Sequence, residues 1–261
     1  MNRTLVIGID CAADINVTGN KTGLVFSSIE NATLEVLGIW NRREGKSAFD
    51  QVNTWINSVD REDRILLAID TPMGWPDKFG VSLATHMAGR PLLELSDFPQ
   101  RTTDIEIRRQ LNKTPIDIAS NLIARTSFSG LKFIDNLNLE LKDKREFRLV
   151  ASTDFRNGII EVYPAATLLA NRVDIKSYKR NGIENIQRRK DILAYLGENK
   201  YNINSLKDLS VELVKIEHDF DAFVCCLAAY DFMNNYANCL KPDDKIRAEK
   251  EGWIWVKKLG T

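Results

Sequence analysis

The sequence predicts an α/β fold in one domain, and three observations carry that prediction. Short β-branched runs fill the first forty residues, an apolar strand with no polar face follows at 65–70, and amphipathic or wholly apolar helical stretches occupy most of the chain after residue 104. At 261 residues the chain is long enough to bury a core without disulfide or metal staples. Its 44% hydrophobic and 28% charged residues exclude a disordered or fibrous protein. With no internal repeat and no low-complexity linker, a single domain over 1–261 is expected, carrying a helical insertion at about 71–147.

Leu5–Asp10, Thr22–Ser28 and Thr33–Trp40 read as three strands, with Asn16–Lys21 as the first turn, and spacing this short implies an antiparallel meander. Ser47 caps a helix whose apolar positions Phe49, Val52, Trp55, Ile56 and Val59 recur at helical spacing. Ile65–Asp70 is apolar on both faces, as in a central strand covered on both sides. TPMGWPDKFG then reads as a loop, since Pro72 and Pro76 oppose a helix and Gly74 and Gly80 supply bends. Helices are expected over 104–111 and most of 116–147, and a strand at Arg148–Ser152 is expected to pair with Gly158–Tyr163, which Pro164 ends. Further helices fall at 165–171, 184–197, 206–214 and, most strongly, Asp219–Tyr236, before a last strand at Trp253–Lys257.

The formal net charge is zero, yet it resolves into −4 over 1–100, +6 over 101–200 and −2 over 201–261. Neutrality overall gives no electrostatic reason to expect nucleic acid or a membrane as partner, whereas Lys176, Lys179, Arg180, Arg188, Arg189 and Lys190 form a basic cluster suited either to a phosphate backbone or to a solvated helix face. The N-terminal apolar run is cut off by Asp10, and Ala222–Tyr230 is about half the length of a membrane span, so a cytoplasmic chain is expected. Cys11, Cys225, Cys226 and Cys239 form no CxxC pair, which argues for small buried hydrophobes rather than zinc ligands or disulfides.

Acids placed where acids are costly mark the candidate site. LVIGID and LLAID are apolar strands that each end in Asp, and if the two are parallel neighbours then Asp10 and Asp70 converge about 5 Å apart. Two carboxylates so close repel unless a cation lies between them, and hard oxygen ligands favour Mg²⁺ or Mn²⁺; alternatively each Asp merely opens a turn. Glu161, within GIIEVYP, sits among apolar neighbours and requires a metal, an Arg or a solvent-facing edge. In EHDFDAFVCCLAAYDF, His218 and Asp221 share a helix face at the start of a buried helix, while Asp219 suits the helix dipole.

GID, AIDTPMGWP, RTTD at Arg101–Asp104, EVYPAATL, HDFDAFVCCLAA and a final GWIWV together resemble, in order and over nearly the whole chain, the predicted-nuclease family catalogued as domain of unknown function 429, of the ribonuclease H-like superfamily. The resemblance implies a ribonuclease H-like fold: a five-stranded mixed sheet with an antiparallel meander and helices on both faces. It also implies metal-binding acids at Asp10, Asp70 and Asp221, with Asp219 competing for the last place, and catalytic roles for Glu161 and His218. Arg101 and Asp104 fall in the family's Arg-x-x-Asp motif, where they would either clamp a phosphate or form a buried ion pair.

The activity so implied is metal-dependent hydrolysis of phosphodiester bonds, of nucleic acid or another phosphodiester substrate, with two Mg²⁺ or Mn²⁺ ions about 4 Å apart and His218 as ligand or proton shuttle. A nucleotide-dependent phosphotransferase or ATPase of the actin-like type would need a second copy of the strand unit and a Gly-rich adenosine site, and neither is found. A non-catalytic scaffold of the same fold is the third class.

Overall fold

The computed structural model describes all residues except 1–2, 14, 16–20, 41–44, 91–99, 142–143, 205, 239, 241 and 260–261. The expected first turn at 16–21 and Cys239 therefore lie largely or wholly outside the described residues.

Among the described residues, seven strands form one mixed sheet in the order β5-β6-β4-β1-β2-β3-β7, comprising β1 (Thr4–Asp10), β2 (Gly23–Glu30), β3 (Thr33–Ile39), β4 (Arg64–Asp70), β5 (Arg148–Leu149), β6 (Asn157–Glu161) and β7 (Ile203–Asn204). Only β2 runs against the others. The meander and the central strand stand as read from sequence. The five strands implied by the resemblance become seven: β5, the two-residue remnant of the strand expected at Arg148–Ser152 and paired with β6 as expected, extends one edge, and β7, too short to carry a periodic signal, extends the other. The strand expected at Trp253–Lys257 reduces to isolated bridges at Ile254 and Lys257.

The helices are α1 (Ala48–Ser58), α2 (Asp77–Ala84), α3 (Thr102–Leu111), α4 (Asn121–Leu141), α5 (Pro164–Ala170), α6 (Ile183–Asn199), α7 (Leu206–Lys215), α8 (Glu217–Met233) and α9 (Pro242–Glu251). Ser47 closes a capping box with Asp50, as its spacing suggests. Helix α2 corrects the expected loop after Asp70. Pro76 occupies its N-cap, where a missing N–H and a fixed φ do no harm, so a proline that would break a helix interior begins one instead.

Strand alternation divides the core in two. Val6, Val25, Leu66, Ala68 and Ile160 face α8 together with residues of α6 and α7, whereas Ile7, Ile9, Ile65, Leu67 and Ile159 face α1 and α4. Helix α8 is apolar around its whole circumference and buried from Asp219 to Phe232, as expected of a helix enclosed by the sheet and other helices. Among the described residues, no helix is long and apolar enough to cross a membrane.

Candidate active site

Strands β1 and β4 pair in parallel with Asp10 directly opposite Asp70. Both residues continue the row of Val6, Leu66 and Ala68, so their side chains end the sheet face that α8 covers. Two glycines let α8 approach. A Cβ on Gly8 would overlap the Ala222 carbonyl, and one on Gly23, the β2 partner of Asp10, would overlap the His218 carbonyl. Helix backbone therefore rests on strand backbone at the first turn of α8, and His218 Nδ1 comes within 2.6 Å of Asp10 Oδ2. Asp221, one turn further on, is fully buried on the same helix.

The acids interact strongly. Burial and then the charge of Asp10 hold the Asp70 carboxyl well above its usual range, with Asp221 and Glu161 adding to the effect and Lys179 opposing it. Burial also raises Asp221, to about 6, although Lys179 pulls it down. For His218, burial favours the neutral ring, but the hydrogen bond to Asp10 and the charges of Asp10, Glu217 and Asp221 outweigh it and raise the imidazole. Cys11 and Cys225, both buried beside Asp10 and Asp70, are pushed up by burial and then by those carboxylates. Their thiols stay protonated, consistent with small hydrophobes rather than ligands.

Lys179 was the group hidden in the sequence reading, where it counted only as one of six clustered basic residues. Its ammonium pairs with Asp221 Oδ2 and lies 5.1 Å from the Tyr178 ring centroid. Nothing in its spacing signals this, because the contact spans 42 positions and arises from a loop between α5 and α6. Arg189 of the same cluster is not a surface charge at all. It is fully buried, and its guanidinium donates to the carbonyls of Tyr178 (2.6 Å), Arg180 (2.5 Å), Val214 (2.8 Å) and Lys215 (3.3 Å). The Arg189 guanidinium thereby fixes the Lys179 loop against the approach to α8, where Asn181 accepts from the Glu217 N–H at 2.9 Å.

Glu161, Arg101 and Asp104 form a second constellation rather than part of the first. Glu161 pairs with Ile69 across β6 and β4, which places it on the face opposite to Asp70. Arg101 bridges Glu161 (2.7 and 2.9 Å) and Asp104 (2.9 and 3.1 Å) and donates to the Glu251 carbonyl at 3.0 Å. These contacts use all five guanidinium N–H groups, so none remains for a phosphate. The ion-pair alternative is the one the structure shows. Glu161 also accepts from the Met73 N–H at 3.0 Å, and the Glu251 carboxylate caps α2 through Asp77 (2.9 Å) and α3 through Thr102 (2.7 Å). Burial raises the Glu161 carboxyl despite Arg101. Behind this triad, a cavity of about 700 Å³ lined by Phe232, Trp253, Trp255 and Leu240 reaches Glu161 but none of Asp10, Asp70, His218 or Asp221.

The donor set of the first constellation suits a hard cation: Asp10, Asp70 and Asp221 offer only carboxylate oxygens, and buried Asp221 Oδ1 makes no hydrogen bond of good geometry, with the Tyr178 hydroxyl beside the carboxylate but not aligned on it. In the arrangement seen, however, no three His, Cys, Asp or Glu side chains among the described residues gather closely enough to hold a metal ion. Lys179 stands at Asp221 instead.

No curated protein and no solved structure matches the chain. One family model does, over residues 8–246, which takes in Asp10, Asp70, the Arg101 triad and the first turn of α8. The chain belongs to the family described as protein of unknown function (DUF429).

Proposed function

We propose that the protein is a metal-dependent hydrolase of phosphodiester bonds acting at the Asp10, Asp70 and Asp221 end of the sheet. The observation that carries this reading is the register of Asp10 against Asp70, which sets two carboxylates side by side on one face under α8. The inner five strands support a ribonuclease H-like assignment, since they run β3-β2-β1-β4-β6 with only β2 reversed, and a late helix crosses them to deliver the third acid.

Asp10, Asp70 and Asp221 would hold Mg²⁺ or Mn²⁺, whose chemistry when bound is to lower the pKa of a water and to stabilise charge on a leaving oxygen. His218, oriented by Asp10 through Nδ1, retains a proton that it can exchange at the same place. Exposed Arg180 and Lys190 leave a positively charged approach for nucleic acid or another phosphodiester substrate. Glu161, Arg101 and Asp104 act here as a buried brace that fixes the loop following Asp70.

Replacing Asp10 or Asp70 by Asn abolishes Mn²⁺-dependent cleavage of a mixed nucleic-acid substrate and leaves the circular dichroism spectrum unchanged. Cleavage at the parental rate by both variants would overturn the proposal. The specific observation favouring a non-catalytic scaffold is the Lys179 pairing, which already neutralises Asp221. Calorimetry with Mn²⁺ separates the two, because a scaffold of that kind takes up no ion.

A further inference from the structure

The acid site contains its own positive charge, and the loop that carries it is built for the purpose. Lys179 reaches Asp221 from a segment in which Ser177 and Arg180 both adopt left-handed backbone conformations, with φ of 59° and 74°. Non-glycine residues hold such angles only where surrounding contacts impose them. Buried Arg189 supplies those contacts through the carbonyls of Tyr178 and Arg180. The Lys179 side chain is 52% exposed while Asp221 is 0% exposed, so the ammonium has solvent to retreat into and the carboxylate does not.

The rest of the pair's surroundings is loosely satisfied. Asp221 Oδ1 makes no hydrogen bond of good geometry, since the buried Tyr178 hydroxyl acts on both Asp221 and Lys179 but is aligned on neither, and a buried carboxylate held firmly at one oxygen only has room for another ligand. Apart from Lys179, the charged groups around Asp221 are Asp10, Asp70, Glu217, His218 and the buried Arg189 guanidinium, whose N–H groups are already taken up by backbone carbonyls and Asn181. Withdrawal of Lys179 leaves the Asp221 carboxylate without the ammonium paired to it.

We propose that Lys179 is an exchangeable internal counter-ion, which occupies Asp221 in the metal-free protein and must withdraw from it for a divalent cation to bind. The inference rests on the metal-dependent reading of the same site. It accounts for the ammonium standing at Asp221, where a third carboxylate ligand would act. Withdrawal would turn the ammonium toward the half-exposed mouth of the site, where an incoming phosphate carries the opposite charge.

The test compares full-length parent, Lys179→Met and Lys176→Met by Mn²⁺ calorimetry, with thermal melting in chelator as the second measurement. Lys176 is exposed in the same loop and controls for the general loss of a positive charge. Expected are Mn²⁺ binding on the order of tenfold tighter for Lys179→Met and an affinity within about twofold of the parent for Lys176→Met. In chelator, Lys179→Met melts below the parent, and the deficit disappears in an Asp221→Asn background because the charge it balanced is gone. Lys179→Gln follows the same order and serves if the Met variant does not fold. If the parent binds Mn²⁺ and Lys179→Met binds it no more tightly, the counter-ion proposal is overturned and the metal reading stands. If neither binds Mn²⁺, both fall. An undiminished deficit in the Asp221→Asn background also overturns the proposal.

Discussion

Arg101 shows how a residue reads one way in sequence and another in space. An arginine three positions before an aspartate in a polar loop suits an anion clamp as well as an ion pair, and only the count of its donors decides between them. Replacing it by Met removes the cation that bridges two buried carboxylates and is expected to destabilise the fold by about 3–5 kcal/mol in chemical denaturation. Asp231 behaves differently. It is fully buried near the C-terminal end of α8, accepts from the Tyr201 hydroxyl at 2.7 Å and has Lys257 at 4.0 Å. Burial pushes its carboxyl up to about 7, with Tyr201 and Lys257 opposing. A carboxyl raised on folding binds its proton more tightly in the native state, so its contribution to stability is complete below the unfolded value of about 4 and is lost as pH rises through about 7. Asp231→Asn keeps the acceptor for Tyr201 and removes that loss. The variant should melt about 2–4 °C above the parent at pH 8, with the gap closing by pH 4; a constant offset at both pH values would contradict this assignment.

At the level of elements, β1, β4 and α8 were legible because each is long and its pattern unambiguous: two apolar strands ending in Asp, and a helix with no polar face. The direct contact of His218 with Asp10 was not read from sequence, which grouped His218 with Asp221 on one helix face and placed the other acids at strand ends. Of the two-residue edge strands, β5 was expected as part of Arg148–Ser152, whereas β7, α2 and α9 were not legible. The first lacks a period, the second begins at a proline, and the third is charged along most of its length and owes its place to Glu251 at its last residue. Gly8 is the element-scale counterpart of Asp10. It reads only as a weak strand residue, yet its missing Cβ sets the distance between α8 and the sheet. Gly8→Ala should lift the helix and cost roughly 1–3 kcal/mol of stability, and because the same shift separates His218 from Asp10, Mn²⁺ binding should weaken with it. A variant as stable as the parent would show that α8 has slack which the backbone contact does not suggest.

Over the whole molecule, charge counted along the chain misdescribes charge in space. The basic excess of the middle third includes Arg101, Arg145 and Arg189, all buried and all committed to carbonyls or carboxylates within the fold. Among the acids, Asp10, Asp104, Glu161, Asp219, Asp221, Asp231 and Glu251 are likewise interior. Net neutrality is thus a sum over an ionised interior as much as over a surface, and no scan of linear sequence can divide the two. The contact between Asp10 and His218 closes a span of 208 positions. During synthesis the first carboxylates are made long before the helix that completes their surroundings, so a nascent or truncated chain can carry β1 and β4 without possessing a site. The surroundings of Asp10 and Asp70 are therefore complete only once α8 has docked, and a chain without that docking has neither His218 nor Asp221 beside them, whatever the state of its first strands.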